Sequence, residues 1–497
     1  MNLNGGEVMK KTALFIVFIL LFTSVVPVYA AKKQSEPVVT SEPIPEPTAN
    51  PDAAPYDPEH PDELTPDQLW AASAVLMTQD KGEVIFEKDP DSIRYPASMT
   101  KILTVLLGIM FVDDLQETIT VSETAVNIPE DSSTMHLKVG EEIRFIDVLY
   151  GTMLVSANDG ANVIAEVVSG DVDRFVTMMN ETAASLGCQN THFVNPHGYH
   201  DDNHYSTARD MAIIAREAMK NETFREIART VTYQIPRTNM QRARTLTTKS
   251  DYMLPGSEES PNKYYYEYAT GIKTGSHSQS GWCFAGSASK DGVDLVSIVM
   301  YTGKRNRWND TIKLMNYGFS QYMSVTPAEL YNMNPITIET SNYSTSDSNR
   351  GKIKLLCKPL EGSATIVATK SEIKRMADNL TDMVFIQYDR DFQAPIEAGE
   401  QIGTMTYFPD RGDPVVYALT AGRSVEQRTN VPKTIDEIVA ETYADPNPFP
   451  PFNFEFAITL FAPLLLLFAF VFLVRRANKK RRAHRMRAPK PVNRYVK

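Results

Sequence analysis

The sequence predicts an α+β chain in which an antiparallel sheet flanked by helices is followed by a small all-β domain and one C-terminal transmembrane helix. Three observations carry this. Strand-like runs at 71–77 and 83–87 precede a middle with helical periodicity, and strand-like runs return at 271–273, 281–287 and 293–301. Segment 335–428 holds only short runs parted by turn residues, which reads as a β-sandwich or barrel. Residues 456–474 are 19 uncharged positions, close to a hydrocarbon core of roughly 30 Å at about 1.5 Å per residue.

In chain order, Lys10-Lys11, an apolar run at 13–22 and Val28-Tyr29-Ala30 make residues 1–30 a secretory signal peptide cut after Ala30. Gly5-Gly6-Glu7 reads like a translated ribosome-binding sequence, so Met9 is the expected start. Residues 31–66 are rich in proline and acidic side chains, the composition of a disordered tether. The first domain, 67–334, opens with two strands joined by Gln79-Asp80-Lys81-Gly82. It continues through helices expected near 145–154, 159–168, 172–186, 208–219 and 309–323. The β domain, 335–428, carries runs at 352–357, 365–369, 382–388, 401–407 and 414–421 and no catalytic constellation. A linker, 429–455, leads to the span at 456–474, where Pro463 allows a kink. The tail, 475–497, has 11 Lys or Arg and no acid, so the positive-inside rule puts it in the cytoplasm and the domains outside. Without the tail, 39 basic residues face 61 acidic ones, which argues against a nucleic-acid partner. Cys188, Cys283 and Cys357 are too sparse for a disulfide framework and read as inert thiols.

The chemistry centres on Tyr95-Pro96-Ala97-Ser98-Met99-Thr100-Lys101, which runs into apolar Ile102-Leu103-Thr104-Val105-Leu106-Leu107. Pro96 just ahead of Ser98 places the serine in the first turn of a buried helix, where unpaired N–H groups favour a developing alkoxide. Lys101 lies one turn on and can take the serine proton if burial or a second cation lowers its pKa. The same S-x-x-K spacing at Ser287–Lys290 and Ser371–Lys374 opens no long apolar helix. Only Ser98 is followed by Ser156-Ala157-Asn158 and then Lys273-Thr274-Gly275.

That ordered triple suggests a division of labour. The Ser156 hydroxyl can relay a proton between Lys101 and a leaving amine, and the Asn158 amide can hold a substrate carbonyl. Lys273 supplies a cation near Lys101, the Thr274 hydroxyl can bind a carboxylate, and Gly275 leaves room along a strand edge. The N–H groups of Ser98 and Ser276 can form an oxyanion hole.

These motifs, with Asn195-Pro196-His197-Gly198, His204-Tyr205-Ser206-Thr207-Ala208-Arg209-Asp210 and Ala394-Pro395-Ile396, resemble the low-molecular-mass penicillin-binding proteins, the serine-type D-alanyl-D-alanine carboxypeptidases. The likeness covers roughly residues 69–428. It implies a β-lactamase/transpeptidase-like domain and an acyl-enzyme on Ser98. It also implies peptidoglycan stem peptides ending in D-Ala-D-Ala as substrates, β-lactam antibiotics as acylating ligands, and no cofactor or metal. By the same resemblance an arginine after the third motif helps Thr274 hold the terminal carboxylate; Arg307 is the match, with Arg305 second. The family usually ends in an amphipathic helix on the membrane, whereas this chain ends in a spanning helix; a homodimer stays open.

Three other readings compete. A β-lactamase-like hydrolase would share Ser98 and Lys101, and a non-catalytic cell-wall-binding scaffold would need neither. A zinc peptidase would use the histidines and aspartates of 197–204, but that stretch lacks H-E-x-x-H and has loop composition, while Thr207 to Asp210 resembles a capping box.

Overall fold

Six consecutive buried side chains form β1 (Ser73–Thr78), the most enclosed kind of strand, and β2 (Val84–Lys88) returns beside it at the sheet margin. The computed structural model describes residues 53–360, 362–409, 413–429 and 454–485. The expected signal peptide and most of the tether and linker lie outside them, as does the end of the basic tail.

A 3₁₀ turn, Ala97–Thr100, leads into α1 (Lys101–Phe111), whose first eight residues are all buried. A helix apolar on every face must sit inside a domain, and each fully buried Leu or Val there contributes roughly 1.5–3 kcal/mol. A small ribbon of β3 (Thr118–Thr120) and β4 (Glu142–Arg144), with α2 (Glu123–Val126) between them, follows. Then come α3 (Phe145–Leu154), α4 (Asn158–Ser169), α5 (Val172–Ser185), α6 (Ala208–Lys220) and α7 (Glu222–Arg229). A hairpin of β5 (Thr232–Ile235) and β6 (Arg244–Thr247) precedes three long strands, β7 (Ala269–His277), β8 (Gly281–Lys290) and β9 (Val293–Thr302), and then α8 (Asn306–Gln321).

The main sheet runs β2-β1-β9-β8-β7, antiparallel throughout, so the first strands of the domain are zipped onto the last. Among the described residues β7 has a strand partner only on its β8 side. Helices 145–154, 159–168, 172–186 and 208–219 were expected, and α3 to α6 occupy them. Thr207 caps α6 by accepting from the Asp210 N–H. The reciprocal half of the expected box does not form, because the Asp210 carboxylate accepts from the Gln189 and Asn190 N–H groups and the Thr191 hydroxyl instead. Order begins before residue 67: Leu64 is buried and Tyr56 packs with it against the core that includes Leu69, Trp308 and Leu314.

Beyond α8 the chain is strand-rich, with β10 (Tyr322–Val325), α9 (Pro327–Met333), β11 (Thr337–Glu339), β12 (Lys352–Pro359), β13 (Ile366–Thr369), α10 (Lys370–Asp378), β14 (Val384–Tyr388), β15 (Gln401–Tyr407) and β16 (Val415–Ala421). The helix α10 interrupts the expected all-β pattern; Thr369 and Glu372 close a capping box at its start. Two compact units result. One comprises Met1–Ile336, Leu355–Arg390 and Gln401–Thr420, and includes the main sheet and the β14-β15-β16 meander. The other comprises Thr337–Lys354, Asp391–Glu400 and Ala421–Lys497; in it β11 pairs with the start of β12 and the Arg423 guanidinium grips Asp347 through both nitrogens, at 3.1 and 2.8 Å. Its last element is α11 (Phe454–Arg485), in which Phe461–Lys479 is long and apolar enough to cross a membrane.

Candidate active site

The backbone bends sharply to present Ser98. Ala97 has φ +47°, a strained value for a residue with a side chain, and the 3₁₀ turn then feeds directly into α1. Two glycines let other segments reach this turn. A Cβ on Gly198, itself at φ +76°, would lie 1.9 Å from the Ala97 carbonyl oxygen, and one on Gly275 would lie 2.6 Å from that of Pro96. The glycine of Lys273-Thr274-Gly275 is thus what allows β7 to lie against the serine turn.

Lys101 is wholly buried and its Nζ lies within hydrogen-bond distance of Ser98 Oγ at 3.0 Å, Asn158 Oδ1 at 2.7 Å and the His197 carbonyl at 2.6 Å. Two of these partners can only accept. The third is a hydroxyl, so a neutral amine can donate to the two carbonyl oxygens and turn its lone pair to the Ser98 proton. Burial, then the charges of Lys273 and Lys249, hold the Lys101 amine well below its ordinary ionisation range. Lys273 is itself lowered to about 7, first by burial and then by Lys249 and Arg307. Its Nζ donates to the Thr274 carbonyl at 3.1 Å.

The loop 195–204 supports the base. Thr104, one turn along α1 from Lys101, donates to the Pro196 carbonyl, and the Asn195 side chain accepts from the Gly198 N–H. His204 accepts from the Val194 N–H at Nδ1, which leaves its Nε2–H to donate to Thr100 Oγ1, and Thr100 in turn donates to the Ala97 carbonyl. Burial lowers His204 to about 3, consistent with this neutral tautomer. Several of the histidines and aspartates weighed as a zinc site are engaged in turns: His197 accepts from the Tyr199 N–H at Nδ1, Asp201 accepts from the Asn203 N–H, and His204 is bonded as just described. Among the described residues no three metal-ligating side chains converge.

Ser98, Asn158 and Ser276 line one cleft of about 350 Å³, with Asp131, Ser132, Ser133, Tyr199, His200 and His277 around them. The 131–137 rim is fixed from below by the buried Asp159 carboxylate, which accepts from the Met135 and Leu137 N–H groups and the Thr134 hydroxyl, while the Asn158 N–H donates to the Ser133 carbonyl at 2.7 Å.

The remaining expected residues lie outside that lining. Ser156 is 5 % exposed, sits between α3 and α4 at φ +64°, and makes no hydrogen bond to Lys101 or Ser98; the amine's three bonds are taken by other partners. Thr274 is half-buried on β7. Arg307, on α8, is stacked 4.7 Å from the Trp282 ring and 4.1 Å from that of Trp308. Its buried Nε has no hydrogen-bond partner among the described residues, and desolvation lowers its pKa to about 10. Sequence reasoning missed the carbonyl of His197, the carboxylate of Asp159 and Lys249. The Lys249 Nζ donates to Ser133 Oγ at 3.1 Å. The first two have a signal, since one belongs to Asn195-Pro196-His197-Gly198 and the other follows Asn158; Lys249 stands in no motif.

The profile of the family described as D-alanyl-D-alanine carboxypeptidase, peptidase S11, matches residues 60–303. D-alanyl-D-alanine carboxypeptidase DacF of Bacillus subtilis (strain 168) is 30% identical over 347 residues, covering 68% of this chain and 82% of that relative. DacA of Haemophilus influenzae, likewise a D-alanyl-D-alanine carboxypeptidase, is 29% identical over 371 residues, or 70% of this chain and 84% of the relative. The crystal structure of penicillin binding protein 5 from Haemophilus influenzae matches at 27% identity with a TM-score of 0.48, covering 73% of this chain and all of that one. With that extent of shared sequence, the chain belongs to the D-alanyl-D-alanine carboxypeptidase family.

Proposed function

We propose that the protein is a serine-type D-alanyl-D-alanine carboxypeptidase, a penicillin-binding protein that removes the terminal D-alanine from peptidoglycan stem peptides through an acyl-enzyme on Ser98. The observation that carries this is the buried Lys101 amine, held by two carbonyl oxygens and facing the Ser98 hydroxyl.

In this reading Lys101 takes the proton as Ser98 Oγ attacks the carbonyl carbon of the penultimate D-alanine. The N–H groups of Ser98 and Ser276 hold the oxyanion, and the Asn158 amide holds the peptide. The proton passes from Lys101 to the leaving nitrogen, a relay that requires the Ser156 hydroxyl, unbonded to the amine in this structure, to turn toward it; the C–N bond breaks and D-alanine departs. Water, deprotonated by the Lys101 amine, then cleaves the ester. Thr274 and Arg307 bind the terminal carboxylate, and Lys273 adds charge beside it. A guanidinium buried without a carboxylate partner is costly, and an incoming carboxylate relieves that cost. A strained β-lactam acylates the same oxygen.

The apolar helix α11 anchors the protein in a membrane, and the basic residues that follow orient its C-terminus to the cytoplasm with the catalytic residues outside.

Intact-mass spectrometry of the protein with penicillin, followed by peptide mapping, tests the assignment. A long-lived adduct on Ser98, D-alanine release from an acyl-D-Ala-D-Ala peptide, and loss of both in Ser98→Ala are expected. Rapid turnover of penicillin would point to a β-lactamase, and folded protein with no adduct to a scaffold.

A further inference from the structure

Among the described residues, one histidine of the 197–204 stretch has a ring nitrogen that is buried and unbonded. His200 Nδ1 has no hydrogen-bond partner, while Nε2 of the same ring lies 3.5 Å from Asp202 Oδ1. The ring packs edge-on against Tyr95, three residues before Ser98, with ring centres 4.9 Å apart, and the Tyr95 hydroxyl donates to the same Asp202 oxygen at 3.4 Å. Facing His200 from the end of β7 is His277, its ring centre 4.9 Å away and its plane tilted by 42°. His277 Nδ1 lies 3.2 Å from Gln279 Oε1, so a proton on Nδ1 is received there and the Nε2 lone pair is left free. In the opposite tautomer Nδ1 accepts from the Ser280 N–H at 3.1 Å, and the surroundings thus support either ring state. Both rings line the catalytic cleft together with Ser98 and Asn158.

This is the arrangement of a pair of metal ligands. Two imidazoles that share one tetrahedral cation, at about 2.0–2.1 Å from each nitrogen, stand with ring centres about 5 Å apart. A ligating histidine also gives its second N–H to a carboxylate or a carbonyl, and Asp202 and Gln279 are placed to receive them. Ring stacking by itself has no use for those acceptors and leaves the buried nitrogen of His200 unsatisfied.

We propose that His200 and His277 form an inhibitory site for a divalent cation of the zinc class, held by His200 Nδ1 and His277 Nε2 inside the catalytic cleft. Water fills the remaining positions, because among the described residues no third metal-ligating side chain converges there. Two neutral nitrogens suit zinc or copper, whereas magnesium and calcium take oxygen ligands. The cation has no part in acyl transfer. It occupies the space beside Ser276 that the peptide must enter to reach Ser98, so metal and substrate exclude each other. Binding stands apart from the acyl-transfer reading, and the inhibition rests on it. Only one ligand comes from the 197–204 stretch and the other from β7, so sequence spacing does not display the pair.

The test titrates the full-length protein with zinc chloride by calorimetry and follows penicillin acylation by intact mass with and without the metal. Zinc at about ten times its dissociation constant is expected to slow acylation of the wild type by about tenfold. His200→Gln and His277→Gln are each expected to weaken zinc binding by about 10²-fold, and Asp202→Ala by about tenfold. Inhibition is read in each variant as the ratio of its own rates without and with zinc, and in both histidine variants that ratio should fall toward one. Magnesium at the same concentration should leave the wild-type rate unchanged. No zinc uptake by the wild type, or uptake undiminished in both histidine variants, overturns the site. Zinc held by the pair with acylation unslowed overturns the inhibition. A protein that takes zinc through these histidines but no penicillin overturns the carboxypeptidase reading and leaves the site standing.

Discussion

Asn158 Oδ1 lies 2.7 Å from Lys101 Nζ, nearer than the Ser98 oxygen at 3.0 Å, and it is uncharged. A neutral acceptor orients the amine without stabilising the ammonium form. Asn158→Asp puts a carboxylate at that distance, which raises the Lys101 pKa and leaves the base protonated at neutral pH. Penicillin acylation at neutral pH should fall by about 10²–10⁴-fold, and part of the loss should return as pH is raised. A uniform loss at every pH would mean that Asn158 serves the substrate alone.

Lys249 acts at longer range. Its charge lowers both Lys101 and Lys273, so Lys249→Gln should raise the pKa of each. The fraction of neutral Lys101 then appears only at higher pH, and the acidic limb of the acylation-rate profile moves toward alkaline pH. Stopped-flow acylation across pH checks this; an unmoved limb would remove Lys249 from the base's electrostatics.

Gly198→Ala places a methyl 1.9 Å from the Ala97 carbonyl oxygen in a backbone region closed to most side chains. The neighbour is backbone, so it cannot swing aside. A loss of about 2–4 kcal/mol in stability, or a displaced Ser98 turn with slowed acylation, is expected, read by thermal unfolding and penicillin acylation together. An alanine variant indistinguishable in both would show that the loop does not touch the nucleophile's turn.

Asp310 offers a stability test away from the chemistry. It is fully buried, accepts from the Trp70 and Ala71 N–H groups, and burial raises it from its ordinary 3.8 to about 6. An acid raised on folding binds its proton more tightly in the folded state. The stability it contributes is therefore fully present below about pH 3.8 and lost as pH rises through about 6, a change of up to about 3 kcal/mol. Asp310→Asn should flatten the pH dependence of unfolding in that window, measured by urea denaturation at pH 4, 5, 6 and 7.

The serine turn was legible because its chemistry is local: Ser98 lies in the 3₁₀ turn that runs straight into Lys101 and the apolar helix, so an offset of three keeps the two side chains on one face. The two decoys show what spacing lacks. Ser287 and Lys290 lie on β8, where an offset of three turns side chains to opposite faces, and Ser371 and Lys374 lie on the short helix α10 with no partner motif. The meeting of Asn158 and Gly275 with that turn was inferred from their order in the chain. The His197 carbonyl escaped notice because Asn195-Pro196-His197-Gly198 marks the loop but not that its backbone oxygen is the atom that meets Lys101. Lys249 escaped because its influence comes through space, from the exposed loop after β6, and nothing in its neighbours marks it. The orientation of Ser156 depends on one backbone torsion, φ +64°, which no pattern of residue types encodes.

β7 ends the main sheet, and an unpaired strand edge is a surface onto which another chain can add by hydrogen bonding. Proteins commonly blunt such edges with charge, proline or a covering loop. Here the last residues of β7 share a cleft with Asp131, Ser133, Tyr199 and His200, so loops from distant parts of the chain stand where a neighbouring strand would be laid down. The walls that give the enzyme its substrate groove thus also guard it against aggregation, and a variant that opened the 131–137 rim would trade selectivity for a sticky edge.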